Sequence, residues 1–245
     1  MAMSAADLPP WALLASIWED LFPLRQPRVD LVLALAPEGT RTLDVGCATG
    51  SLVRALATRG RIAHGLDLEP AFLEVARVRA REAGLDAVWH EAGMLDAARA
   101  VGSARFRLVT CLGQTLPHLL EEAEWLDFFR QVRTILEPGG RFVIQAVHDA
   151  ATGVRDLPVL RTAAGVLERR RTVVSDTLAT FETRFTPAAG EPVTSLVRHR
   201  RIRPEAAARL LREAGLVPDA PLADEAGTPF LETSAGWVLS SARGG

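Results

Sequence analysis

Two aspartates lie on either side of a glycine-rich turn at a spacing that suits a nucleoside-containing ligand. Asp44 precedes Gly46 by two residues in the segment 43–50, LDVGCATG, and Asp67 follows Gly46 by 21 residues. In nucleotide-binding folds an acidic residue about 20 residues after such a turn accepts hydrogen bonds from a ribose. Glycines let the N–H groups of the turn approach a ligand where the next helix begins. The pattern predicts a nucleotide-type α/β site.

The spacing of the glycines separates two classes of nucleotide site. Dinucleotide-binding turns follow G-x-G-x-x-G, in which the second glycine makes room for a pyrophosphate, whereas Ala48 occupies that position here. The observed pattern D-x-G-x-x-x-G, which begins at Asp44, resembles motif I of the class I S-adenosylmethionine-dependent methyltransferases. The resemblance implies S-adenosylmethionine as the cofactor, with Asp67 on both ribose hydroxyls. The alternative role for Asp67 is a helix cap, for which Glu69 is better placed.

Hydrophobic periodicity predicts the elements that carry these residues. Strand-like apolar runs alternate with segments whose apolar residues recur at helical spacing. The predicted strands are 42–45, 62–66, 87–90, 106–112 and 141–147, and the predicted helices include 70–83 and 121–136. This alternation predicts an α/β fold, a three-layer Rossmann-like sandwich around a mostly parallel sheet. The carboxyl ends of the strands are expected to border one ligand crevice.

Two further segments resemble the family. The segment 91–96, EAGMLD, matches its motif II turn, but Gly93 stands where an aspartate usually bonds the adenine amino group. Adenine recognition is then expected from the Gly93 and Met94 backbone, from the Met94 side chain, or from Asp96 if the alignment slips. The segment 113–120, GQTLPHLL, resembles G-N-S-L-P-H-L of small-molecule methyltransferases. Its alternative interpretation is an ordinary strand-to-helix loop.

These motifs give the candidate site residues. The resemblance and position along the fold place the following residues at the cofactor: Asp44, Gly46, Cys47, Ala48, Gly50, Asp67, Leu68, Gly93, Met94, Cys111 and Leu112. The two cysteines have packing as the alternative interpretation. The candidate acceptor-binding residues are Trp18, Gln114, Thr115 and Asp149, and the candidate general bases are His118 and His148. A histidine at the end of a strand is equally well explained by a structural role. No metal site is expected.

The remaining segments predict covers for the crevice. Residues 153–203 alternate with period two, with strands at 172–174, 178–186 and 193–202, and predict a small antiparallel lid. Most of its arginines are expected to form a solvated face. The alternative is that a few of them bind a carboxylate or phosphate of the substrate. Residues 1–36 predict a helical N-terminal cover, in which SIWEDLFP resembles a family segment with tyrosine in place of Trp18. Residues 204–245 predict a last helix and an antiparallel edge hairpin, which completes a single domain with its core at 40–150.

Composition narrows the function classes. The net charge of −2 gives no bulk attraction to nucleic acid, and no segment reaches the length of a membrane span. The two isolated cysteines suit a reducing compartment. Lysine, asparagine and tyrosine are absent, which indicates a GC-rich bacterial genome and removes lysine and tyrosine chemistry. A cytoplasmic protein with a small-molecule partner is expected, and the oligomeric state stays open.

The predicted reaction is methyl transfer from the cofactor to a small-molecule acceptor by in-line displacement. Positioning alone can supply roughly 7–11 kcal/mol of the barrier reduction, and a histidine base helps only when the nucleophile arrives protonated. Two alternatives remain at this stage. One is a catalytically silent protein that binds S-adenosylmethionine or S-adenosylhomocysteine, and the other is an NAD-dependent oxidoreductase of related fold.

Overall fold

The computed structural model describes residues 14–148 and 152–244. Seven strands form the main sheet: β1 Arg41–Val45, β2 Ile62–Asp67, β3 Ala87–Glu91, β4 Phe106–Cys111, β5 Leu136–Val147, β10 Leu216–Pro218 and β11 Gly236–Arg243. Four strands form a second sheet: β6 Gly153–Thr162, β7 Gly165–Val173, β8 Leu178–Pro187 and β9 Val193–Arg200. The helices are α1 Trp18–Leu21, α2 Gln26–Leu35, α3 Ser51–Ala57, α4 Pro70–Glu82, α5 Ala97–Val101, α6 Glu122–Ile135 and α7 Pro204–Glu213, with 3-10 turns at Met94–Asp96 and Leu116–His118.

The main sheet has the strand order β10-β11-β5-β4-β1-β2-β3. Strands β1 to β5 pair in parallel, whereas β11 pairs antiparallel with both β5 and β10. The predicted α/β class, with a mostly parallel sheet and a C-terminal antiparallel hairpin, is confirmed. The order of the strands reverses between β1 and β4, and ligands bind beyond the carboxyl ends of strands at such a reversal.

Helices cover both faces of the main sheet. One face carries the core that contains α6, whose Trp125, Phe128 and Phe129 are fully buried. The other face carries a second core, in which Val32 of α2 and Val53 of α3 are fully buried. These two cores hold the strand ends, and the turns that follow them, in fixed positions.

The inserted sheet has four strands, whereas the sequence pattern predicts three. The strand Gly153–Thr162 was missed because its side chains are mostly exposed and its pairing with β7 shifts between Leu157 and Leu160, around Pro158. Proline lacks the N–H that a regular ladder needs. The next strand begins at Gly165, whereas the sequence pattern predicts residue 172. The pattern misses its first part because the consecutive arginines 169–171 hide the alternation of polar and apolar residues.

The second sheet packs against the N-terminal segment and the loop after β4. Its Leu167 and Phe185 form a buried cluster with Leu14 and Leu21. Arg200 of β9 donates to the Leu120 carbonyl at 2.6 Å. These contacts bring the inserted sheet and the N-terminal helices together. No helix in the described part of the chain is long and apolar enough to cross a membrane.

Candidate functional site

The glycine-rich turn joins β1 to α3 in a conformation that favours glycine. Gly46, Ala48 and Gly50 have φ angles of 73°, 46° and 74°. These angles lie in the left-handed region that residues other than glycine rarely occupy. A Cβ added to Gly46 would lie 2.3 Å from atoms of Thr115. The N–H of Gly46 donates to the Leu66 carbonyl of β2 at 2.7 Å. The turn is therefore held between β2 and the loop after β4.

Asp67 ends β2 and faces this turn. Its Oδ2 accepts from the backbone N–H of Ala48 at 2.8 Å, and its Oδ1 accepts from the N–H of Glu69 at 3.0 Å. The Glu69 side chain caps α4 by accepting from the Ala71 N–H, so the prediction that Glu69 is the cap is confirmed. Burial raises the pKa of the Asp67 carboxyl. A carboxylate offers about four lone-pair positions, which leaves Asp67 capacity for hydroxyl donors beside the turn.

Asp44 is buried in β1, directly before the turn. The Thr110 hydroxyl of β4 donates to its Oδ1 at 2.7 Å. Burial raises the pKa of the Asp44 carboxyl to about 6, against the opposing effects of this hydrogen bond and of the Arg28 charge. A buried carboxyl with a raised pKa beside a ligand crevice is typical of functional sites.

The two cysteines flank the same crevice as packed side chains. Cys47 and Cys111 are free and buried. Burial raises the pKa of both thiols well above the ordinary range, which keeps them protonated and unreactive. Leu112, which follows Cys111, is only 4% exposed. Cys111 and Cys47 are thus packed side chains of the two cores that lie on either face of the main sheet.

An apolar edge continues from Asp67 toward the segment after β3. The Ala92 N–H donates to the Asp67 carbonyl at 3.0 Å, which brings Gly93 next to the end of β2. Leu68 is 72% exposed, and its Cδ1 lies 4.0 Å from the position of a Cβ on Gly93. Asp96 instead pairs with Arg99 on an exposed surface at 2.9 Å. Asp96 is therefore a poor candidate for the missing adenine carboxylate.

The loop after β4 is fixed to both neighbouring strands. Gln114 has a φ of 73°, and its Oε1 accepts from the Val147 N–H of β5 at 2.7 Å. Thr115 donates to the Leu112 carbonyl at 3.0 Å and lies against Gly46. Thr115 thus belongs to the wall of the turn, while Gln114 holds the loop on β5.

The two candidate histidines have different partners. His118 is exposed, and its Nε2 lies 3.3 Å from Nε2 of His199 on β9. His148 is buried, with its ring edge against Phe230 and its Nε2 3.8 Å from the Glu232 carboxylate. The structure therefore couples His118 to the inserted sheet and His148 to the segment before β11. Asp149 lies outside the described residues.

Trp18 packs between two phenylalanines. Its ring centroid lies 4.6 Å from that of Phe22 and 4.7 Å from that of Phe72. The adjacent Glu19 accepts from the Thr49 hydroxyl of the turn at 2.7 Å and pairs with Arg54 at 2.7 Å. The acidic Glu19 was not singled out from the sequence, because its partners are 30 or more residues away.

A second unpredicted contact joins α2 to the segment before β11. The Glu225 side chain is 1% exposed and pairs with Arg25 and with Arg28, the latter at 2.7 Å. Arg28 also donates to Gln145 Oε1 at 3.1 Å, and Gln145 Oε1 accepts from the Gly113 N–H at 3.0 Å. The network connects the N-terminal segment to β5 and to the loop after β4. Its charges were not recognised as a site because Arg28 and Glu225 are 197 residues apart.

The structure thus brings together Asp44, Asp67, Gly46, Ala48 and Thr115 around the end of β1. Leu68, Gly93 and Met94 lie at the neighbouring end of β2 and β3. Within residues 14–148 and 152–244 no three side chains of the metal-ligating types cluster together. The arrangement can receive hydroxyl groups at the Asp67 carboxylate, whereas the N–H groups of Gly46, Cys47, Ala48 and Gly50 already donate within the protein.

The core of the fold is similar to known methyltransferases. Residues 42–140 match the family model described as a methyltransferase domain. The ubiquinone biosynthesis O-methyltransferase of Stutzerimonas stutzeri is 32% identical over 129 residues, which cover 53% of this chain and 53% of that protein. The chain thus matches about half the length of the curated relatives.

Solved structures extend the likeness to the whole chain. A S-adenosylmethionine-dependent methyltransferase from Clostridium acetobutylicum superposes with a TM-score of 0.81 at 16% identity, covering 97% of this chain and all of that one (100%). The CcbJ methyltransferase from Streptomyces caelestis gives 0.80 at 23% identity, covering 95% and 96%. The chain therefore has the fold of these S-adenosylmethionine-dependent methyltransferases, and its residues 42–140 match the methyltransferase-domain model.

Proposed function

We propose that this protein is an S-adenosylmethionine-dependent methyltransferase that acts on a small-molecule acceptor. The observation that carries the proposal is the Asp67 carboxylate bonded at 2.8 Å to the Ala48 N–H of a turn with three left-handed residues. The match of residues 42–140 to a methyltransferase domain supports it independently. The cofactor would supply a methyl group activated by its sulfonium charge.

The residues around the turn fit such a cofactor. Asp67 would receive the two ribose hydroxyls, because its oxygens keep free lone pairs after binding two N–H groups. The turn from Gly46 to Gly50, with the side chains of Asp44 and Cys47, would bind the amino-acid end of the cofactor. Leu68, Gly93 and Met94 would cover the adenine. Cys111 and Leu112 would complete the floor of the crevice.

The protein's own contribution would be positioning. Holding a nucleophile on the axis of the breaking bond can contribute roughly 7–11 kcal/mol. Trp18, Gln114 and Thr115 would border the acceptor, with His118 and His148 near its polar groups. The buried contact of Leu14 and Leu21 with the inserted sheet supports a closed, water-poor acceptor site.

The acceptor is proposed only as a small molecule. Relatives are named as ubiquinone biosynthesis O-methyltransferases, and a structural neighbour is named as a sugar N-methyltransferase. The formal net charge of −2 supports neither nucleic acid nor an anionic surface as partner. The relatives are bacterial, and the two free cysteines agree with a bacterial cytoplasm.

The direct test is production of S-adenosylhomocysteine from S-adenosylmethionine in the presence of a panel of phenols, acids, amines and amino sugars. Turnover with at least one acceptor, abolished in Asp67→Ala, is the expected result. The exposed Asp96→Ala variant serves as the matched control and should retain turnover. Tight cofactor binding without turnover on any panel member would instead favour a silent binding protein.

A further inference from the structure

A chain of three polar side chains connects the inserted sheet to the loop after β4. Nε2 of His118 lies 3.3 Å from Nε2 of His199, and Nδ1 of His199 lies 3.3 Å from Nη1 of Arg171. The two imidazole rings meet edge to face, with centroids 4.6 Å apart. Arg171 belongs to β7 and His199 to β9, so the chain runs from inside the second sheet to the crevice loop.

The three linked side chains differ sharply in burial. Arg171 and His199 are each 4% exposed, whereas His118 is exposed. The His199 ring also stacks on Phe181, with centroids 5.7 Å apart and an interplanar angle of 15°. A buried polar atom needs a partner inside the protein, so the hydrogen bonds of His199 are fixed by Arg171 and His118. The exposed His118 is thus backed by a rigid buried pair.

The chemistry of the three groups determines where the protons lie. A guanidinium has only donors and stays charged in proteins, so Nδ1 of His199 must accept from Arg171. The proton of neutral His199 is then on Nε2, which donates to Nε2 of His118. With its Nε2 accepting, neutral His118 carries its proton on Nδ1.

Both the burial and the neighbouring charges keep His199 neutral. Burial lowers the pKa of His199 to about 3, with His118 and Arg171 as further causes. A second proton on His199 would place a donor against the Arg171 guanidinium. At neutral pH the direction of donation along the chain is therefore fixed.

We propose that His199, itself oriented by Arg171, positions His118 as the Nδ1–H tautomer and makes it a hydrogen-bond donor for the acceptor instead of a general base. The role in acceptor binding rests on the proposed methyltransferase function, whereas the tautomer itself does not. His118 would then bind a carbonyl, ether or carboxylate oxygen of the acceptor. An acceptor that must lose a proton would lose it elsewhere.

The tautomer can be measured without cofactor or acceptor by two-bond ¹H–¹⁵N correlation of the imidazole rings. The protein has five histidines, so substituting them one at a time assigns every imidazole signal. We expect His118 to show protonated Nδ1 and unprotonated Nε2 in the wild type. An Nε2–H tautomer for His118 in the wild-type spectrum would overturn the proposal.

Two variants of His199 give a matched pair. His199→Phe keeps an aromatic ring against Phe181 but removes the donor, and should abolish the Nδ1–H preference of His118. His199→Gln can still donate from its amide and should retain it. An unchanged His118 tautomer in a folded His199→Phe variant would also overturn the proposal, whatever the result of the turnover assays.

Once an acceptor is found, the donor role has its own readout. The amide N–H of asparagine can take the place of Nδ1–H, whereas that of glutamine corresponds to Nε2. His118→Asn should therefore raise the acceptor KM less than His118→Gln, with cofactor affinity unchanged in both. The reverse order would contradict the donor role while leaving the methyltransferase proposal intact.

Discussion

Among single residues, Asp44 is costly to the fold and is one of the proposed cofactor-binding residues. It is 7% exposed, and burial raises its pKa to about 6. The folded protein therefore stabilises the Asp44 carboxylate less than water does at neutral pH. A buried carboxyl with a raised pKa is a candidate for ligand binding.

Asp44→Asn should stabilise the ligand-free protein at pH 8 by about 1–3 kcal/mol, because the variant no longer buries a charge. The Thr110 hydroxyl keeps an acceptor in the asparagine oxygen. Urea denaturation at pH 8 measures the change, with the exposed Asp96→Asn as control. A destabilised Asp44→Asn protein would show that the carboxylate supports the fold.

Gly46 occupies a position in the turn that has no room for a side chain. Its φ of 73° and the 2.3 Å approach of an added Cβ to Thr115 both oppose a side chain. Gly46→Ala should lower the free energy of unfolding by about 1–3 kcal/mol and weaken cofactor binding at least tenfold. Gly84→Ala is the matched control, because Gly84 also has positive φ, at 64°, but no atom lies within 4 Å of its added Cβ. Equal losses in the two variants would mean that the contact with Thr115 does not matter.

At the scale of elements, the Glu225 network holds α2 on the segment before β11. The Glu225 side chain is 1% exposed and pairs with two arginines, and Arg28 links it to Gln145 of β5. Removal of one partner from a buried ion pair leaves an uncompensated charge. The N-terminal cover is therefore expected to depend on this single carboxylate.

Glu225→Ala should lower the free energy of unfolding by about 1.5–3 kcal/mol through the loss of its charged hydrogen bonds, and should increase proteolysis of the N-terminal segment. The two arginines left behind are 61% and 23% exposed and can reach water. Glu232→Ala is the control from the same segment, because Glu232 is 68% exposed and pairs with an exposed Arg203. Exposed pairs contribute about 0–1 kcal/mol. Similar losses in both variants would contradict the assignment of Glu225 as the main contact.

For the whole molecule, the buried histidines and Asp44 change the free energy of unfolding in opposite directions as the pH rises. Burial lowers the pKa of His64 to about 4 and that of His199 to about 3, so between pH 4 and 6 the unfolded chain binds more protons at these two positions. Asp44, with its pKa of about 6, binds more protons in the folded state. Desolvation also raises the pKa of Asp67 and lowers the pKa values of His90 and His118. Four histidines thus act against two carboxyls, and stability should rise with pH in this range.

Each proton contributes a slope of about 1.4 kcal/mol per pH unit. Denaturation midpoints measured from pH 4 to 6.5 should therefore rise, less steeply in His199→Gln and more steeply in Asp44→Asn. The His199 contribution is complete above its unfolded value near 6.5 and is lost as the pH falls toward 3. A stability that falls with rising pH in this window would contradict the burial of the histidines.

Much of the architecture could be predicted from local pattern. The glycine turn, the strand ending at Asp67 and the α6 stripe with Trp125 follow from short-range spacing, and the structure has all three. The first strand of the inserted sheet could not be predicted, because its exposed residues and Pro158 hide the alternation. The pairs Glu225–Arg28 and His118–His199 join residues 197 and 81 positions apart, and no local pattern encodes such contacts.

Calorimetric titration of S-adenosylhomocysteine, and separately of NADH, into the wild type and the Asp67→Ala variant distinguishes a methyltransferase from an NAD-dependent oxidoreductase. Asp96→Ala is the control for loss of a carboxylate at the same sheet edge. Micromolar binding of S-adenosylhomocysteine alone, weakened at least tenfold in Asp67→Ala and unchanged in Asp96→Ala, is the predicted result. Binding of NADH instead, or of neither ligand, would contradict the methyltransferase proposal.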